Sequence, residues 1–229
     1  MAPATIAMAI AAAPPAGRRP DARGNVAPMS DDLALLESWR AGDVRAGQAL
    51  FRRYFHDVYR FFEHKVGPEA DELVQQTFAA SVAAAARFRG GSSFRTYLFA
   101  IARNQLYSFL RRLPSGEHID FDAVSLADLV TSAAGRLGRA RDVERLHAAL
   151  ATLPVEQQLL LELHYWQELD AEALGEVFES PPGTIRVRLA RARKALRARM
   201  SELELAQLDA STDGLSAALT RPEEGDLEP

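Results

Sequence analysis

The sequence predicts an all-α protein made of two small helical domains joined by a flexible linker. Three observations carry that prediction. Hydrophobic residues make up 48% of the chain and are mostly Ala and Leu, with few β-branched runs. Apolar positions recur every three or four residues, the period of a helical face and not of a strand. The pattern is interrupted at length only over residues 113–139, where Pro114, Gly116, Gly135 and Gly138 stand among scattered acids. A chain of 229 residues has enough material for one or two buried cores.

Residues 1–30 are rich in Ala, Pro and Gly with little to bury, and read as a disordered extension. The apolar run over residues 5–13 is too short to span a membrane and lacks the basic segment of a secretory signal. Met29-Ser30-Asp31-Asp32 looks like a natural start followed by a helix cap. Leu33, Leu36 and Trp39 then define a first helix ending near Ala41-Gly42. Ala49, Leu50, Phe55, Val58, Tyr59 and Phe62 carry a longer second one, stopped by Gly67-Pro68. A third starts near Asp71, shows Leu73, Val74, Thr77 and Phe78 on one face, and closes near Gly90-Gly91. The three form a bundle with short links.

Residues 94–112 form a fourth helix, packed through Phe94, Leu98, Ile101, Ala102 and Phe109. Its opposite side presents Phe99, Arg103, Tyr107 and Arg111, with Tyr97 and Asn104 toward one edge. Rings interleaved with arginines suit unpaired nucleic acid, because bases stack on rings while cations follow phosphates. The same aromatics would also serve as extra core, and this helix alone leaves both readings open.

Helicity resumes at Val143, Leu146, Ala149 and Leu150, and again after Leu153-Pro154 with Leu159, Leu160 and Leu163. Two helices at a tight turn follow over residues 170–200, the former capped by Asp170 and packed through Leu174, Val177 and Phe178. Ser180-Pro181-Pro182 ends that helix and opens the next, since Pro lacks an N–H that a first turn leaves unpaired anyway. On the second, Ile185, Leu189, Ala192 and Leu196 form one narrow packing stripe. The remaining surface carries Arg186, Val187, Ala190, Arg191, Arg193, Lys194 and Arg197, with no acid anywhere in residues 181–200. A helix, a short turn and a basic second helix fit the helix-turn-helix, whose second helix lies in the DNA major groove. A solvated basic helix, or one gripping an acidic protein, would share the pattern.

The net charge of −4 does not oppose a DNA partner once divided by segment. Residues 201–229 hold eight acids against Arg221, a balance of −7 that leaves +3 for residues 1–200. The acidic tail is expected to be mobile beyond a brief continuation of the last helix, and its charge suggests a shield for the basic helix. The chain has no cysteine, which excludes disulfides, thiolate metal sites and a cysteine nucleophile and suits a reducing cytoplasm. Its five histidines lack helical metal-site spacing, and neither a phosphate loop nor a GxSxG elbow is present. Neither an enzyme nor a cofactor is expected.

With both ends read, the chain resembles the sigma-70 family of bacterial transcription initiation factors, in the compact extracytoplasmic-function form that has only regions 2 and 4. The matching stretches are DELVQQTF (71–78), RFRGGSSFRTYLFAIARN (87–104) and LPVEQQLLLELHYWQELDAEALGEVFESPPGTIRVRLARARKAL (153–196). Two motif blocks in order across a linker are far more specific than either alone.

The resemblance implies a cytoplasmic, dissociable subunit that binds core RNA polymerase, directs it to promoter DNA and helps open the duplex. Residues 31–112 would be region 2, meeting the β′ clamp helices through Asp71, Glu72, Gln75 and Gln76. The fourth helix and the loop over residues 87–93 would hold the minus-10 element, through Arg95, Tyr97, Arg103, Asn104, Tyr107 and Arg111, with Asn104 at the pocket for a flipped base. Residues 113–139 would be the linker and residues 140–200 region 4, whose first helices face the β flap. Region 4 would read the minus-35 element with Arg186, Val187, Ala190 and Arg191, while Thr184, Arg188 and Arg193 suit phosphates. An anti-sigma factor is a further partner the resemblance allows. Gln76 replaces the usual acid of its motif, residues 79–86 lack an expected large aromatic, and Val187 stands where relatives often carry a small polar residue. On residues alone, two other readings compete: a free-standing helix-turn-helix regulator, and a scaffold for an acidic protein.

Overall fold

A computed structural model of the chain describes residues 29–84, 92–114, 119–129 and 142–219. Expectations for residues 1–28, for the loop over residues 85–91, for much of the linker and for the last ten residues lie outside the described residues. No described helix is long and apolar enough to cross a membrane.

Helix α1 (Met29–Arg40) turns at Gly42, whose φ of 106° suits glycine, into α2 (Val44–Val66), capped by the Asp43 carboxylate on the Arg45 N–H at 2.8 Å. Gly47 lets the two helices close, since a Cβ there would lie 2.3 Å from the Trp39 indole. Gly67, at φ 60°, ends α2. After one 3₁₀ turn comes α3 (Ala70–Ala84), then α4 (Phe94–Arg111), capped by Ser93 on the Thr96 N–H at 3.0 Å. Leu36, Leu50, Phe51, Val58, Phe62, Leu73, Phe78, Phe94, Leu98 and Leu106 fill the bundle. Asp32 is held at its edge by Arg53 and the Tyr54 hydroxyl.

The second lobe comprises α6 (Asp142–Ala151), α7 (Val155–Tyr165), α8 (Ala171–Val177) and α9 (Pro182–Leu219). Helix α7 is its buried axis, with Val155, Leu159, Leu160 and Leu163 almost fully enclosed. The last helix runs on to Leu219, much farther than the brief continuation expected from sequence. At 1.5 Å per residue it is about 57 Å long.

The lobes are packed on each other. Leu159, Leu163, Leu174, Val177 and Ile185 belong to the same continuous apolar cluster as the first bundle. Across the seam, Lys65 of α2 pairs with Glu162 of α7, both buried. Lys65 also donates to the Phe61 carbonyl, and Glu162 accepts from Gln158 at 2.7 Å, so the pair is well satisfied. Burial pushes the Lys65 amine below its ordinary range, opposed by the Glu162 charge.

Part of the stretch expected to be a flexible linker is likewise ordered. Residues 119–125 form a turn leading into the short helix α5 (Leu126–Leu129), and Phe121 and Leu126 are buried. The reason is local: Pro154, preceding α7, offers no side-chain cap. The first amides of α7 bond the turn instead, Val155 N–H to the Val124 carbonyl and Glu156 N–H to the Phe121 carbonyl, both at 3.0 Å. A bridge between Ser125 and Pro154 adds to this contact.

Candidate nucleic-acid interface

Two surfaces carry the residues marked for nucleic acid, and they differ in how open they are. The first is α8, its turn and α9. The Asp170 carboxylate caps α8 through the Ala173 N–H at 2.8 Å, as its sequence position predicts. Leu174, Val177 and Phe178 are buried as expected. The turn closes through the Ser180 N–H on the Gly175 carbonyl at 2.9 Å, with Glu179 in the left-handed region at φ 51°. A Cβ on Gly175 would stand 2.8 Å from the Ser180 oxygen, so the tight turn requires glycine there, a requirement that sequence reading missed. Ile185, Leu189 and Ala192 face inward.

Thr184, Arg186, Val187, Ala190 and Arg191 consequently face out, and Arg193 is half-buried. Val187 is 50% exposed, one of few large apolar side chains so placed. Two arginines engage acids from neighbouring helices, which the acid-free sequence of α9 conceals. Arg186 pairs with Glu172 at 2.5 Å on the surface, and Arg188 with the buried Glu156 at 2.6 Å. Burial and a hydrogen bond with Asp122 push the Glu156 carboxyl above the usual range, while Arg188 draws it down.

The second surface is the outer face of α4, which the other lobe and the linker turn cover. Phe99 is fully buried and meets Phe61 edge-on at 5.7 Å, so its expected exposure is corrected. Tyr107 is also buried, at 6% exposure, with Phe121 stacked on it at 3.9 Å and 15°. Both rings are core because α4 packs on two sides, a fact that one helix's periodicity cannot reveal. Burial raises the Tyr107 hydroxyl pKa against the lowering effect of Arg103.

Arg103 lies between the Tyr107 and Phe178 rings, 4.6 and 5.0 Å from their centroids, and donates to the Val177 carbonyl at the end of α8 at 3.1 Å. Arg95 reaches Gln167 of the second lobe at 3.3 Å and Asp57 at 3.6 Å. Arg111 sits over Phe121 at 5.2 Å. The Tyr97 hydroxyl donates to the Ser81 carbonyl at 2.8 Å, and Asn104 is exposed. Arg103, Asn104, Tyr107 and Arg111 line one cavity of about 500 Å³, whose far wall is Asp120, Phe121 and Asp122. Sequence reading passed over Phe121 because it sits between Asp120 and Asp122 in a stretch without helical periodicity.

The set expected to meet polymerase lies apart, on α3. Asp71, Glu72 and Gln75 are exposed and Gln76 is half-buried, donating to Glu72 at 2.8 Å.

With this geometry in hand, likeness to known proteins is extensive. The Sigma-70 region 2 family matches residues 50–114, and the Sigma-70 region 4 family matches residues 143–196. The ECF RNA polymerase sigma factor SigC of Mycobacterium tuberculosis is 36% identical over 187 residues, covering 74% of this chain and 93% of that protein. The ECF RNA polymerase sigma-E factor of Escherichia coli is 30% identical over 181 residues, covering 72% and 92%. Among solved structures, CnrH in complex with the cytosolic domain of CnrY superposes with a TM-score of 0.56 at 22% identity, covering 75% of this chain and 98% of that one, a likeness of fold.

Proposed function

The chain belongs to the sigma-70 family, in its extracytoplasmic-function group, and from that membership we propose how its two lobes divide the work of promoter-directed initiation. The protein is a sigma factor: it associates with core RNA polymerase and directs it to promoter DNA. Its role is binding, with no bond chemistry of its own, and its place of work is the cytoplasm. Region 4 reads the minus-35 duplex through Arg186, Val187, Ala190 and Arg191, with Thr184, Arg188 and Arg193 on phosphates. Region 2 holds the opened minus-10 strand on α4 through Arg95, Tyr97, Arg103, Asn104, Tyr107 and Arg111. Asp71, Glu72, Gln75 and Gln76 meet the polymerase clamp, and the first helices of region 4 face the β flap.

The observation that carries this reading is the outward Arg186–Val187–Ala190–Arg191 face on a helix whose opposite stripe is buried. Use of the α4 face requires the lobes to part, because Arg95 and Arg103 are engaged by Gln167 and Val177 of region 4. An anti-sigma partner would act on that same balance between packed and parted lobes.

Run-off transcription with purified core polymerase tests the assignment. Initiation from a defined start is expected when this chain is the sole added factor. Sequence-selective duplex binding without initiation would favour the free-standing helix-turn-helix regulator.

A further inference from the structure

The turn over residues 119–122 rests on α4 in a manner that reproduces what a single strand would offer. A strand presents flat rings to stack and anions at intervals between them. Phe121 presents a flat ring, parallel to Tyr107 within 15° at a centroid distance of 3.9 Å, and the Arg111 guanidinium lies 5.2 Å from the Phe121 centroid. Asp120 and Asp122 flank it, lining the same cavity as Arg103 and Arg111. Asp122 is near enough to Tyr107 and Glu156 to act on both electrostatically.

Two polar atoms of the cavity lining are poorly satisfied. Arg103 Nε is buried with no hydrogen bond among the described residues, and the buried Tyr107 hydroxyl has only the neighbouring Arg103 guanidinium, without a well-formed hydrogen bond. Buried donors in that state are costly, and a ligand with acceptor atoms would satisfy them where the apolar Phe121 ring does not. The turn is also held by few bonds: Asp120 accepts from the Asp122, Ala123 and Val124 amides, and the two α7 amides, the Ser125–Pro154 bridge and a hydrogen bond between Asp122 and Glu156 tie it to region 4.

We propose that residues 119–122 are an internal occupant of the single-strand site on α4, Phe121 standing in for a base and Asp120 and Asp122 for phosphates, so that the turn and unpaired DNA exclude one another. The inference rests on α4 being the strand-binding helix. The turn follows α4 in sequence and caps α7, so its release couples strand capture to parting of the lobes. A free chain then carries its strand site filled, and the filling is displaced only where melted DNA is present at high local concentration.

The test is binding of a fluorescein-labelled single-stranded 12-mer of mixed sequence to the full chain, by anisotropy. Phe121→Ala, and separately Asp120→Asn with Asp122→Asn, are expected to tighten binding about ten-fold, the order of one stacked base. The gain of the Asp variant should shrink as salt rises. Adding the 12-mer to the unaltered chain should speed hydrogen exchange at the Val155 and Glu156 amides, a readout that a purely structural Phe121 would not move. Circular dichroism confirms that the variants remain folded. If the variants bind no tighter than the unaltered chain, yet Asn104→Ala and Arg111→Ala weaken all of them, the mimicry is wrong and the strand site stands. If Asn104→Ala and Arg111→Ala change nothing in any background, the strand site itself is misassigned and the proposal falls with it.

Discussion

Lys65 and Glu162 show how much one pair of side chains can decide. Each is buried, and each satisfies the other's charge across the seam between lobes. Removing one partner strands a charge in an apolar setting, so Lys65→Met or Glu162→Gln should each cost about 3–5 kcal/mol, measured by chemical denaturation. The double replacement Lys65→Met with Glu162→Leu should recover most of that loss, because no uncompensated charge remains. Arg191 is the complementary case on the surface, exposed at the centre of the proposed reading face. Arg191→Ala should lose about 1–3 kcal/mol of discrimination between promoter and mismatched duplex if it contacts a base edge. Equal weakening on every sequence would assign it to phosphate.

At the level of elements, the helix-turn-helix was legible because its rules are local. Asp170 as cap, the Ser180-Pro181-Pro182 break and the stripe from Ile185 to Ala192 are each set by neighbours within one or two turns. Gly175→Ala tests that tightness: its Cβ must push the Ser180 carbonyl, and region 4 should lose about 1–3 kcal/mol on thermal unfolding. Helix α4 was legible only in part. Phe94, Leu98 and Ala102 of its stripe are buried as expected while Ile101 and Phe109 are only half-buried, and Phe99 and Tyr107 are buried too, against Phe61 and Phe121. A single helix's periodicity records one packing face, and the second was supplied by α8 and Phe121. The turn over residues 119–125 was read as linker for the same reason, since its order comes from capping α7. The acids expected to shield α9 lie partly within its helical continuation through residue 219, where Glu202 pairs with Arg199 at 2.8 Å.

Over the whole molecule, the packed state should be pH-sensitive through two imidazoles that meet across the seam. His64 of α2 and His147 of α6 lie 4.0 Å apart, with Trp166 at 5.3 Å from His147. Burial, His64, Lys65 and Arg60 hold the His147 pKa down at about 4. Burial lowers His64 as well, although Glu63 and Glu162 pull it upward. A parted imidazole takes its proton near pH ~6.5, so packing is undisturbed above that point and weakens as pH falls toward 4. Glu156 works in the opposite sense, its raised pKa making the packed state the better proton acceptor in acid. His147→Gln should therefore flatten the weakening between pH ~6.5 and 5 and leave the Glu156 contribution, as read by lobe separation against pH.

The central claim is that the free chain holds its two lobes together over the strand face and that core polymerase parts them. The absence of native cysteine allows a dye pair to be placed cleanly at Glu37→Cys in region 2 and Glu176→Cys in region 4. Resonance energy transfer between the dyes should be high in the free protein and fall when core polymerase is added. Transfer that is already low in the free chain, or that stays high with polymerase bound, would contradict the account.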